Sequence, residues 1–172
     1  KTVVADMKTM DVGYLETEIA AKAGADVVTV LAAAYDATVK GSIEAARRYG
    51  VKVMADMMAV EQSRVLERAT DLEWLGVDYI CLHVGKDAQP QRGSIELLYQ
   101  TLEAVTNAVE IPVAAAGGIT AESVGRVVKA GAGIVVVGGA ITGAENPAEA
   151  AASILREARQ AYLEAKMKRG PV

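Results

Sequence analysis

Ala115-Ala116-Gly117-Gly118-Ile119-Thr120 and Val137-Gly138-Gly139-Ala140-Ile141 decide how this 172-residue chain folds. Each closes an apolar run of β character, residues 112–116 and 134–137, and each leads into a segment that reads as helix. A Gly-Gly pair at a strand end uncovers backbone N–H groups, and the helix that follows turns its positive end toward the same place. One such pair reads equally well as a tight turn. Two at successive strand ends match the phosphate loops after the last two strands of a (β/α)8 barrel. The competing fold is a flavodoxin-like sheet, whose phosphate loop normally follows the first strand instead.

Upstream, the same unit repeats. Further apolar β-type segments cover residues 2–5, 26–31, 51–56 and 78–84, making six in all, and helical periodicity marks residues 15–22, 39–49 and 65–75. Gly24, Gly50 and Gly76 recur at equal spacing just before strands, where a helix end must enter the left-handed region. Asn146-Pro147-Ala148-Glu149 supplies the opposite signal: an N-cap, an N1 proline and a capping-box acid. Alternation with short links predicts parallel strands covered by helices. With no linker or low-complexity segment, residues 1–172 read as one α/β domain.

The first strand carries the most concentrated chemistry. In Lys1-Thr-Val-Val-Ala-Asp6-Met-Lys8-Thr-Met-Asp11, two carboxylates and an ammonium follow an apolar run. Strand parity puts Asp6 and Lys8 on one face. Grouped fixed charges beside an apolar core are costly to desolvate; they serve either as a structural ion pair or to hold a metal or stabilise an anionic intermediate.

Composition narrows the function classes. Only 4% of residues are aromatic against 52% hydrophobic, so aliphatic side chains must build the core. A net charge of −4, with no basic block before Lys166, Lys168 and Arg169, argues against nucleic acid or an anionic membrane as partner. No run approaches the roughly 20 apolar residues of a membrane span, and none reads as a signal peptide. The single Cys81 can form no intrachain disulfide and fits a reduced, cytoplasmic setting. Cys81, Trp74, Met54, Met57 and Met58 read as packing residues.

The run Ala5-Asp6-Met7-Lys8-Thr9-Met10-Asp11 resembles the signature of the 3-hexulose-6-phosphate synthases, barrels of the orotidine-5′-monophosphate decarboxylase superfamily. The resemblance continues through residues 23–31 and 35–38, through His83-Val84-Gly85-Lys86-Asp87-Ala88-Gln89, and into both glycine loops. It implies a magnesium-dependent, reversible condensation of formaldehyde with D-ribulose 5-phosphate in a homodimer or larger homo-oligomer. On that reading Asp6 is a magnesium ligand and Lys8 stabilises a cis-enediolate. Asp11 reaches a neighbouring subunit's site, and His83 transfers protons. Gly117, Gly118, Gly138 and Gly139 bind the substrate phosphate. Asp56 either contacts substrate or catalytic water, or simply caps the following helix.

The chain also departs from that pattern. The family barrel has eight strands and six are legible here, which implies that the first two βα units are absent and leaves an open edge: either the chain is a fragment, or another chain fills the gap, or the barrel is rebuilt as an assembly. Ala32-Ala33-Ala34-Tyr35 and Ala114-Ala115-Ala116 replace other residues, and Tyr35 is expected to fill a formerly wet space. Orotidylate decarboxylases resemble the Asp6-Lys8-Asp11 pattern, but usually carry a further upstream lysine and need no metal. The 3-keto-L-gulonate-6-phosphate decarboxylases tend to have arginine where Lys86 stands, and lysine lacks arginine's bidentate fork. A second class of reading is a non-catalytic scaffold, in which residues 155–168 form a long charged helix against its own barrel or a partner.

Overall fold

The computed structural model describes residues 1–88 and 95–168; Gln89 and Arg169 lie outside the described residues. Strands β1 (Val4–Thr9), β2 (Val27–Leu31), β3 (Lys52–Asp56), β4 (Tyr79–His83), β5 (Val113–Ala116) and β6 (Ile134–Val136) form one sheet. Helices α1 (Gly13–Lys22), α2 (Asp36–Tyr49), α3 (Val65–Leu75), α4 (Ile95–Ala108) and α5 (Ala121–Lys129) connect them, followed by short α6 (Gly139–Thr142) and long α7 (Pro147–Lys168). Every neighbouring strand pair is parallel, and the order in space is the order in sequence. That order excludes the flavodoxin-like alternative, whose strand order reverses part-way. Val4 of β1 and Val136 of β6 line the same cavity, so the sheet curls into a half-barrel with helices outside.

Residue alternation sets the two faces. Val30, Val53, Ala55, Ile80, Leu82, Val113 and Ala115 point outward and join Val39, Leu72, Leu102, Val105 and Val124 from the helices in the main core. Val27, Met54, Cys81, Ala114 and Ala116 point inward. Buried on both faces, β2 to β5 read as near-continuous apolar runs. Fully burying a side chain such as Leu72, Ile80 or Leu102 contributes about 1.5–3 kcal/mol.

The helix boundaries follow the local signals. Gly24, Gly50 and Gly76 have φ of 97°, 72° and 101°. At α7 the Glu149 N–H donates to the Asn146 side-chain oxygen at 3.2 Å, and the Asn146 amide donates to the Glu149 carboxylate at 3.3 Å.

Three expectations are corrected. The first strand runs from Val4 to Thr9, so Asp6 and Lys8 lie within it, not after it. Trp74 is 85% exposed. The core face of α3 is Val65, Ala69 and Leu72, and two residues past Leu72 the helix has turned about 200°, placing Trp74 opposite. Tyr35, in extended conformation just before α2, is also 85% exposed and fills no interior space. Met54, Met57 and Cys81 are buried as expected.

Among the described residues β1 pairs only with β2 and β6 only with β5, leaving two open edges. Val4, Met7, Met10, Leu15 and Ile19 are exposed on or beside the first edge. Beside the second, β6, α5 and α7 frame an apolar groove of about 760 Å³ that includes Val135, Leu155 and Tyr162.

Candidate active site

The site begins at an irregularity in β1. Ala5 is in register with Val28, but Thr9, four residues on, is in register with Val30, only two residues further along β2. The surplus residues bulge, and Lys8 takes φ 49°, in the left-handed region. A non-glycine residue there costs of order 1–3 kcal/mol and persists only where surroundings hold it. Thr29 of β2, 4% exposed, supplies the hold: its hydroxyl accepts the Lys8 N–H at 2.9 Å and donates to Asp6 Oδ1 at 3.0 Å. Simple strand parity therefore fails locally, yet the Lys8 ammonium still bonds Asp6 Oδ2.

Asp56, at the C-terminal end of β3, is the buried hub, only 3% exposed. Its Oδ1 accepts the Met58 N–H at 2.9 Å, while Oδ2 lies 2.8 Å from His83 Nδ1 and 3.8 Å from Lys8 Nζ. Three partners offset the cost of burying a carboxylate. Asp56 does not cap the following helix, since the next helical turn begins only at Gln62 with Glu61 as its N-cap; one oxygen braces the turn after β3 and the other faces the site. An ionised carboxylate only accepts, so in the neutral ring Nδ1 carries the proton and Nε2 keeps its lone pair.

Burial by itself would raise the Asp6 pKa, but the Lys8 hydrogen bond and charge, the Thr29 hydroxyl and the His83 charge together carry it below the ordinary aspartate value. The Cys81 thiol, under the same floor, is pushed far upward by burial and then by Asp56 and Asp6, so it stays a neutral packing group.

Asp6, Thr29, Asp56, Cys81 and His83 form one side of a cavity of about 800 Å³, open above the strand ends. Gly117, Gly118, Gly138 and Gly139 line it too, with Thr120, Thr142 and Lys86. The two glycine pairs differ in kind. A Cβ at Gly117 would lie 2.3 Å from the Val84 carbonyl oxygen, and its φ is 106°, so packing alone demands glycine. Nothing lies within 4 Å of a Cβ at Gly138 or Gly139, whose missing side chains leave open space. Asp11 stands apart: its Oδ1 accepts the Val12 N–H at 2.8 Å, and it is exposed and not part of the cavity wall.

No cluster of three or more His, Cys, Asp or Glu side chains able to cage a metal occurs among the described residues. The available donors are the Asp6 carboxylate, 59% exposed, and the buried Asp56. A hard cation that keeps several waters and takes one or two protein carboxylates is compatible with that set.

The residues matched by the model of the Orotidine 5'-phosphate decarboxylase / HUMPS family are 1–154. The chain belongs to this family. Among curated members, the 3-hexulose-6-phosphate synthase of Mycobacterium gastri is 43% identical over 151 residues, 88% of this chain and 70% of that protein. That of Bacillus subtilis (strain 168) is 41% identical over 153 residues, with the same coverage of 88% and 70%. A crystal structure of a 3-hexulose-6-phosphate synthase superposes with a TM-score of 0.82 at 41% identity, covering 94% of this chain and 73% of that one.

Within that family frame Thr29 is the residue that sequence reasoning missed. Its only signal is position: a hydroxyl among the valines of β2, facing the strand that carries Asp6 and Lys8.

Proposed function

We propose that the chain catalyses the reversible aldol condensation of formaldehyde with D-ribulose 5-phosphate, giving D-arabino-hex-3-ulose 6-phosphate through an enediolate. The observation that carries this reading is that Asp6, Asp56 and His83 line one cavity with the two glycine loops, with the Lys8 ammonium held behind them by the two carboxylates. The names of relatives about 40% identical support it.

In this mechanism the glycine loops present amides to the phosphate, orienting the ketose with C1 and C2 over the charge cluster. His83, held by Asp56, takes a proton from C1 through Nε2. The C1–H electron pair forms the C1–C2 double bond, and the carbonyl π pair moves to the C2 oxygen. The Lys8 ammonium faces that oxyanion. C1 then attacks the formaldehyde carbon; the C2 carbonyl reforms, and the formaldehyde oxygen takes the proton back from the imidazolium. Asp6 would hold a Mg2+ ion through its carboxylate. The chemistry such an ion supplies is partial neutralisation of the enediolate oxygens.

We also propose that two further βα units, from another stretch of polypeptide or from a partner chain, cover the open β1 and β6 edges and their exposed apolar side chains. In that assembly Asp11 faces a neighbouring subunit of a homo-oligomer.

The test is loss of formaldehyde in the presence of ribulose 5-phosphate, with magnesium and then with EDTA. The reading expects magnesium-dependent turnover that Lys8→Ala lowers by two orders of magnitude or more, the scale of a lost oxyanion partner. A folded wild-type protein that consumes no formaldehyde would favour the scaffold reading instead.

A further inference from the structure

We infer that Lys86 is an anion-recognition residue at the cavity mouth, selecting a phosphorylated ketose over its unphosphorylated counterpart. The inference deepens the proposed function and rests on that reading for the substrate class. It starts from the charge balance of the wall. Among the described lining residues the fixed anions are Asp6 and Asp56, and Lys86 is the lone lysine or arginine. The Lys8 ammonium is already engaged by both carboxylates. The glycine loops offer neutral amides, whereas a phosphate monoester carries a charge of about −1.5 to −2 at neutral pH. An anion of that size entering a cavity floored by carboxylates gains from a cation near the mouth.

Lys86 is placed for this. It opens the short 3-10 turn Lys86–Ala88, three residues after His83, and its side chain is exposed and unpaired with any described residue. Its turn is also tied to the first glycine loop. The Val84 N–H donates to the Ala116 carbonyl at 3.1 Å, and Gly117 sits against the Val84 carbonyl so closely that no side chain fits between. The segment leading to the ammonium is therefore packed directly against the segment presenting the amides.

The experiment is calorimetric titration of the full chain with inorganic phosphate at low and moderate salt, for wild type, Lys86→Gln and Lys86→Arg. It is paired with KM for ribulose 5-phosphate. Lys86→Gln is expected to weaken phosphate binding roughly five- to tenfold and flatten its salt dependence, with Lys86→Arg within about twofold of wild type. KM should rise by a similar factor, with a smaller effect on kcat. Phosphate binding that Lys86→Gln leaves unchanged, or no phosphate binding by wild type, would overturn the inference. Because the titration needs no turnover, a Lys86-dependent phosphate site in a protein that consumes no formaldehyde would keep the inference and sink the aldol reading.

Discussion

Lys8 does two jobs that pull against each other: its backbone sits in a region that disfavours side chains, and its ammonium must bond Asp6 while facing the buried Asp56. Thr29 reconciles them by anchoring the Lys8 N–H and the Asp6 carboxylate with one hydroxyl. The consequence is measurable in acid. Asp6 titrates below the ordinary aspartate value of about 3.9. Because its folded pKa is depressed, the stability it contributes is fully present above about pH 4 and is lost as pH falls through the lower folded value. Lys8→Met removes the cation responsible, so the Asp6 midpoint, followed by carboxyl-carbon NMR, should move upward. An unchanged midpoint would mean the pair seen here is not the dominant interaction.

At the scale of elements, the two glycine loops that announce the fold serve different physical needs. The β5 loop has no room: Gly117 combines a left-handed φ with a carbonyl where its Cβ would be. Gly117→Ala is therefore expected to destabilise the protein by about 1–3 kcal/mol or more in urea melts. The β6 loop has room, and Gly139→Ala, at the first residue of α6, should leave stability within about 0.5 kcal/mol. Instead it should raise KM for the phosphorylated substrate, because the new methyl group fills space left for the ligand. If both variants behave alike, the distinction drawn between the loops is wrong. Helix α3 shows where element-level reading stops. Its boundaries are correct to the residue, yet Trp74 lies on the solvent side because the phase of the Val65–Ala69–Leu72 stripe outweighs side-chain hydrophobicity.

Taken whole, the molecule is a curled parallel sheet whose inward residues near the strand ends make the chemistry: Asp6, Thr29, Asp56 and His83 come from four successive strands. Much of this was legible beforehand, because helix–strand alternation, glycine punctuation and strand-end placement are local signals. The Asp56–His83 contact and the Thr29 bracket were not. They join residues 27 and 23 positions apart, and at the second the bulge in β1 breaks the parity that would have placed Lys8 beside Thr29. The open edges, by contrast, were expected from six legible strands against the eight of the family barrel, and the sheet ends at β1 and β6 accordingly.

The central claim is that this cluster makes an enediolate, and proton exchange tests it without any need for formaldehyde. Ribulose 5-phosphate would be incubated with the protein and magnesium in D2O, and the C1 proton signals followed by NMR. The account predicts that wild type exchanges one C1 proton for deuterium, and that Lys8→Met and His83→Gln, both folded, do not. A folded wild-type protein that binds the sugar phosphate but leaves C1 unexchanged would contradict it.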